Sequence, residues 1–184
     1  MVVEELAAED GKKVVILIDE DCPSPRELDE NNVGVFFTWD RKYSSPDENE
    51  FDNGADFEHE FKDARKAGDV LILPVYKHDH GAVAYATTPF PCMWDSGQVG
   101  YIYTTKKKVI DNWGDYSEES QKKALDCLKL EVEIYSDWAA GYCYGYKKYD
   151  GEEVIDSCFG FIGLDHFKSG LADAAGIKEI WYAK

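Results

Sequence analysis

Apolar positions fall in short blocks along this chain, and the spacing within each block predicts its element. KKVVILIDE (12–20) holds five consecutive apolar residues, mostly β-branched and closed by acids, which predicts a buried strand. VGVFFTW (33–39) predicts a second strand. In 56–68, Phe57, Phe61 and Ala64 recur at i, i+4 and i+7, one face of a short helix, and Gly68 suits its C-terminal cap. VLILPVY (70–76) predicts a third strand. Pro74 has no N–H to give a ladder, so it belongs at an open edge or a bulge. HDHG (78–81) is expected to turn the chain into a fourth strand, AVAYATT (82–88), closing a hairpin. QVGYIYT (98–104) predicts a fifth.

The longest periodic segment follows. Ser117 suits an N-cap, and Glu118 and Glu119 sit at the positive end of the helix dipole. Ala124, Leu128, Val132, Tyr135 and Trp138 then form one apolar stripe, and Gly141 stops the helix. The segment 141–163 predicts a second hairpin, because an Asp-Gly pair at 150–151 separates two strand runs. A short helix is expected over 165–175, capped by Gly176, and a last strand over 177–182. Hairpins outnumber strand–helix–strand units. The expected fold is therefore α+β: a mainly antiparallel sheet packed against one long helix at about 117–140, with one or two short helices. One domain is expected over 1–184, with a loop-rich N-terminal region at about 19–63.

Charge changes the picture most. The 184 residues carry a formal net charge of −17. Residues 19–63 hold 15 acidic residues against four basic ones, so most of the excess sits in a quarter of the chain. Such a surface repels phosphates, which argues against direct binding of nucleic acid and for a basic partner. Asp47, Glu48, Glu50, Asp52, Asp56 and Glu58 are the candidates for an acidic surface that imitates a nucleic-acid backbone. No apolar run approaches the roughly 20 residues of a membrane span. The opening MVVEELAAEDGKK lacks a basic segment followed by an apolar one, so no secretory signal is expected. The five widely spaced cysteines are then expected as free thiols in a reducing cytoplasm.

The chain shows no GxGxxG, GxxxxGK[ST], HExxH, CxxC or GxSxG pattern, which weighs against an enzyme of the familiar kinds. Two constellations remain. If extended, His78 and His80 project to one side with Asp79 opposite, a start for a metal site completed by His59, His166, Asp95 or a cysteine. No cofactor is expected otherwise, and zinc is the metal such a pair would suit. Cys92 is the candidate nucleophile, with His78 or His80 as base and Asp95 or Asp79 to orient it. An acidic setting without a nearby cation favours the thiol, so a packing role is the competing reading. In CMWDSGQ (92–98), Asp95, Ser96 and Gly97 have the chemistry of a turn. Trp94 is expected to anchor that turn in the core. Trp94, Asp95 and Gln98 remain the side chains of interest for binding. In the strand reading of Asp156-Ser157-Cys158, alternation would bury one face and expose the other, a structural role. The tyrosines at 142, 144, 146 and 149 fit a half-buried strand.

The segment TTPFPCMWDSGQVGYIYTTKKKV (87–109) resembles a family of small uncharacterised bacteriophage and prophage proteins. They share an aspartate- and histidine-containing turn, here His78-Asp-His80, the Thr-Pro-Phe element, Cys-x-Trp-Asp-Ser-Gly-Gln-Val-Gly and an aromatic strand. The resemblance continues through Glu131, Glu133 and Tyr135 to the Gly141-x-x-Tyr-Gly-Tyr146 element and Asp156-Ser-Cys-x-Gly160, about residues 70–163. It implies a phage accessory protein in the cytoplasm of an infected bacterium. The expected activity is to bind and inhibit a host defence factor, such as restriction or CRISPR nuclease machinery, with homo-oligomers allowed. The alternative is a small-ligand- or metal-binding protein, or an enzyme, with its pocket around His78, His80, Cys92, Asp95 and Gln98.

Overall fold

The computed structural model describes residues 1–28, 31–40, 42–92 and 94–178, and in them the apolar blocks pair into two four-stranded antiparallel sheets. In chain order the elements are β1 (Val2–Ala7), β2 (Lys13–Ile18), α1 (Pro25–Leu28), β3 (Val35–Thr38), α2 (Gly54–Glu60), α3 (Lys62–Ala67), β4 (Val70–His80), β5 (Ala82–Ala86), β6 (Ser96–Thr105), α4 (Lys106–Trp113), α5 (Glu118–Ala139), β7 (Cys143–Asp150), β8 (Glu153–Ile162) and α6 (Leu171–Ala175). The expected α+β class is what forms. The chain divides into two compact units, Met1–Ser24 with Asp137–Lys184, and Pro25–Ser136.

The first unit carries the sheet β1-β2-β7-β8. β2 is an inner strand, which suits its unbroken apolar run: Val14, Val15 and Ile16 are all buried. Val14 and Ile16 join Tyr144 and Tyr146 of β7 and Leu171, Ala172 and Ala175 of α6 in one core. Gly151 turns the β7–β8 hairpin with φ +63°, as the Asp-Gly pair predicts. The strand β1 was not foreseen. Its VVEELA sequence is mostly exposed, and pairing with β2 holds it in place.

Three expectations need correction in this unit. Asp156, Ser157 and Cys158 do not divide into a buried and an exposed face, because β8 is an edge strand exposed from Glu153 to Gly160. The helix expected over 165–175 is only Leu171–Ala175, since 165–170 forms turns around the Asp165 carboxylate and Gly170. Gly176 caps that helix as expected, at φ +70°. Of the strand expected over 177–182, Ile177 and Lys178 lie outside any strand, and 179–182 lie outside the described residues.

The second unit carries the sheet β3-β6-β4-β5, with helices on both faces. Alternation along β3 shows why. Phe36 points to the α5 face, where its ring lies 5.1 Å from Tyr135 and 6.3 Å from Tyr85. Phe37 points the other way, 5.7 Å from Phe57 of α2. Phe57 in turn stacks on Tyr101 of β6 at 4.6 Å. α5 buries Ala124, Leu128, Val132 and Tyr135, four of the five positions of the expected stripe, and Ser117 Oγ caps its start by accepting from Ser120 N.

Pro74 sits where the pairing rules allow it. β5 pairs with β4 only from Tyr76 onward, so the Pro74 edge facing away from β6 lies outside that ladder, and a register shift follows at Val75/Tyr76. The helix expected at 56–68 is two helices. It begins earlier, where Asn53 Oδ1 accepts from Ala55 N and Asp56 N, and it breaks at Phe61. There the Phe61 ring packs 4.5 Å from Tyr103. Gly68 closes α3 in the left-handed conformation, as expected.

Candidate functional site

His78 and His80 lie at the end of β4, not in a turn, and the chain reverses at Gly81 instead. The extended backbone puts the two imidazoles on one side and Asp79 on the other, as the spacing predicts. On its side, Asp79 accepts from Lys42 Nζ at 2.9 Å and lies 3.6 Å from Lys77, which also pairs with Asp40. The Lys42 hydrogen bond lowers the Asp79 pKa and raises that of Lys42.

On the other side stands the loop from β5 to β6. The β4–β6 ladder places His78 opposite Ser96, and Asp79 N donates to Asp95 O at 2.9 Å. Ser96 Oγ donates to the Cys92 carbonyl, which holds the two residues together at the start of β6. Ser96 thus does what was expected of it, whereas Gly97 lies in β6 without a left-handed φ and the Asp95 carboxylate takes the Cys92 thiol rather than a backbone N–H. The Phe90 ring covers His78 at 5.5 Å. The result gathers His78, Cys92 and Asp95, with one ligand atom from each lying within 4.8 Å of the others. Cys92 Sγ donates to Asp95 Oδ2 at 3.7 Å, and His80 Nδ1 lies 3.3 Å from the same oxygen. His78 and Cys92 are half buried, whereas the His80 and Asp95 side chains are open to solvent.

Chemically, this arrangement offers an imidazole, a thiol and a carboxylate converging on one point, with a second imidazole on the carboxylate. It suits a cation better than a nucleophile–base pair. The Cys92 thiol is directed at a carboxylate, and no hydrogen bond joins it to either imidazole among the described residues.

The other candidates lie elsewhere. Trp94 is 96% exposed and does not anchor the loop in the core. The turn is held by backbone and Ser96 hydrogen bonds, so the indole is not needed as a plug. Gln98 Nε2 donates to Gly100 O at 3.4 Å, along its own strand. His59 is exposed on α2, beside Glu50, Asp56 and Glu60 at a shallow pocket. His166 belongs to the other unit and packs on Tyr144 at 4.9 Å.

The acidic candidates split. Glu48, Glu50, Asp52, Asp56 and Glu58 are exposed on α2 and the loop before it. Glu58 also accepts from Tyr101 OH at 2.5 Å. Asp47 is different. Its two oxygens take the Arg26 guanidinium at 2.8 and 2.6 Å, and Oδ2 also accepts from Phe36 N at 2.7 Å. Arg26 completes the arrangement with Glu131 at 2.7 Å and the Gly34 carbonyl at 2.7 Å. Its side chain is only 3% exposed. Burial alone would lower the guanidinium pKa, but the hydrogen bonds it donates to Asp47 and Glu131 carry it above its usual value. Asp47 is thus spent on holding the loop. The one signal in the sequence was Arg26 itself, a rare cation in the acidic stretch.

The chain matches no protein-family model, no curated protein and no solved structure. Among the described residues, no helix is long and apolar enough to cross a membrane.

Proposed function

We propose that this protein works by binding a basic, nucleic-acid-binding protein through the acidic surface of α2 and the loop before it. The observation that carries this reading is the one-sided build of that segment. Glu48, Glu50, Asp52, Asp56, Glu58 and Glu60 are exposed, with no Lys or Arg between 48 and 60. The opposite face is sealed by Phe57 against Phe37 and Tyr101. Packing therefore leaves the carboxylates at the surface, and among the described residues only Glu58 of the six meets a cation, Arg65 at 3.6 Å. Exposed charges of one sign steer a basic groove toward them and repel nucleic acid. The resemblance to bacteriophage and prophage proteins supports a host defence nuclease, of restriction or CRISPR type, as the partner class.

The test is a DNA-cleavage assay with such nucleases, with and without the protein. Inhibition should weaken steeply with added salt, because exposed charges are screened over about 8–10 Å at ordinary ionic strength. Replacing Glu48, Glu50, Asp52, Asp56 and Glu60 by Lys should abolish it. Inhibition at full strength by that variant would sink the reading.

A further inference from the structure

We propose that His78, Cys92 and Asp95 form a binding site for one divalent transition-metal ion with the preferences of zinc, and that His80 positions Asp95 in it. This goes beyond the acidic-surface reading and stands without it. The donor set decides the ion. A thiolate and an imidazole favour zinc-like ions, whereas magnesium and calcium take oxygen ligands.

Distance supports the same ion. Zinc binds nitrogen, oxygen and sulfur at about 2.0–2.3 Å, so the ligands of a tetrahedral site stand about 3.3–3.8 Å apart. Cys92 Sγ and Asp95 Oδ2 are already 3.7 Å apart. His78 lies within 4.8 Å of both, and a shift of about an ångström in its side chain closes the triangle. The backbone beneath does not need to move. Asp79 N to Asp95 O and Ser96 Oγ to Cys92 O tie the turn to β4, and Phe90 covers the His78 ring.

His80 adds the support that metal ligands ordinarily have. Its Nδ1, 3.3 Å from Asp95 Oδ2, restrains the carboxylate from the solvent side. On binding, the Cys92 thiol proton passes to solvent and the sulfur turns from Asp95 to the ion. Three protein ligands at a solvent-facing mouth leave a fourth position for water or an incoming donor atom, the arrangement of open rather than purely structural zinc sites. The usual spacing signature is missing because one ligand comes from a strand and two from a turn that the hairpin brings back beside it.

The experiment strips the purified full chain with a chelator and titrates it with Co²⁺ while recording its absorption spectrum. One Co²⁺ per chain should give a thiolate-to-cobalt charge-transfer band that excess Zn²⁺ abolishes. Cys92→Ser should remove the band, and His78→Ala should weaken zinc binding by at least about tenfold. His80→Ala should weaken it by about 10–100-fold while keeping the band, the behaviour of a positioning residue. Cys158→Ser, at the exposed edge strand, should change nothing. Circular dichroism establishes that each variant is folded, and His78→Gln replaces His78→Ala if the latter is not. A folded parent that gives no band, or a band that survives in Cys92→Ser, overturns the proposal. The Lys variant of the acidic surface should keep the metal, so the two proposals fail separately.

Discussion

The guanidinium of Arg26 lies 2.7 Å from the carboxylate of Glu131, 105 positions along the chain, and makes a two-pronged contact with Asp47 on its other side. Glu131 uses its second oxygen to accept from Val33 N at 2.6 Å. One buried cation thus fastens α1, the start of β3 and the acidic loop to the long helix.

Removing that cation leaves two carboxylates facing each other with 20% and 12% side-chain exposure. Arg26→Ala should therefore destabilise the protein by about 3–5 kcal/mol, the usual cost of breaking a buried ion pair from one side. Arg26→Lys keeps the charge but loses the fork, and should recover only part of it. Urea unfolding of the three proteins measures this. A change for Arg26→Ala within about 0.5 kcal/mol would mean the triad is not a fastening.

Two glycines on β6 make a second, paired prediction. A Cβ on Gly100 would lie 2.1 Å from the Phe37 carbonyl oxygen, which is backbone and cannot swing away. A Cβ on Gly97 meets nothing within 4 Å. Gly100→Ala should force β3 and β6 apart at a cost of about 1–3 kcal/mol or more. Gly97→Ala should be neutral or stabilising by up to about 1 kcal/mol. Thermal unfolding of both variants separates the outcomes, and equal effects would refute the close approach of the strands.

Acid should reveal the start of α5. Asp115 accepts from Ser120 Oγ at 2.6 Å, from Ser117 N at 3.0 Å and from Ser117 Oγ at 2.7 Å, which lowers its pKa from 3.8 to about 2. A carboxylate held lower in the folded state stabilises it above the unfolded value and ceases to do so as pH falls through the folded one. The stability gap between the parent and Asp115→Asn should be flat above about pH 5, shrink below pH 4 and close near pH 2. Thermal scans across that range test it. A gap independent of pH would show that the charge plays no part.

Much of the fold was legible where periodicity was strong. β2, β3, β4, β6, the β7–β8 hairpin and the α5 stripe follow from apolar spacing, because burial on one face imposes a period of two or 3.6. β1 was not legible. Its VVEELA run carries two glutamates and is mostly exposed, so pairing with β2 rather than its own pattern makes it a strand. The break at Phe61 escaped for a related reason: the spacing of Phe57, Phe61 and Ala64 gives a common face but not the packing on Tyr103 that accompanies the break. Trp94 misled most. Apolarity predicts burial on average, yet a turn already closed by hydrogen bonds has no need of an indole.

The chain alone determined that this would be an α+β protein of mainly antiparallel strands with one long helix, and that its negative charge gathers in 19–63, since both follow from residue type and local spacing. It also supplied His78, His80, Cys92 and Asp95 as residues with chemistry. Only the tertiary structure decided that they meet. That depends on the register of β4 against β6, with His78 opposite Ser96 after an irregularity at Val75/Tyr76. A slip of one residue would turn both imidazoles to the face that Asp79 now shares with Lys42 and Lys77. Register is set by the packing of both sheet faces together, which no single stretch of sequence contains. The same holds for Asp47, one acid among many in the chain and a half-buried anchor once Arg26 bridges it to Glu131 of α5.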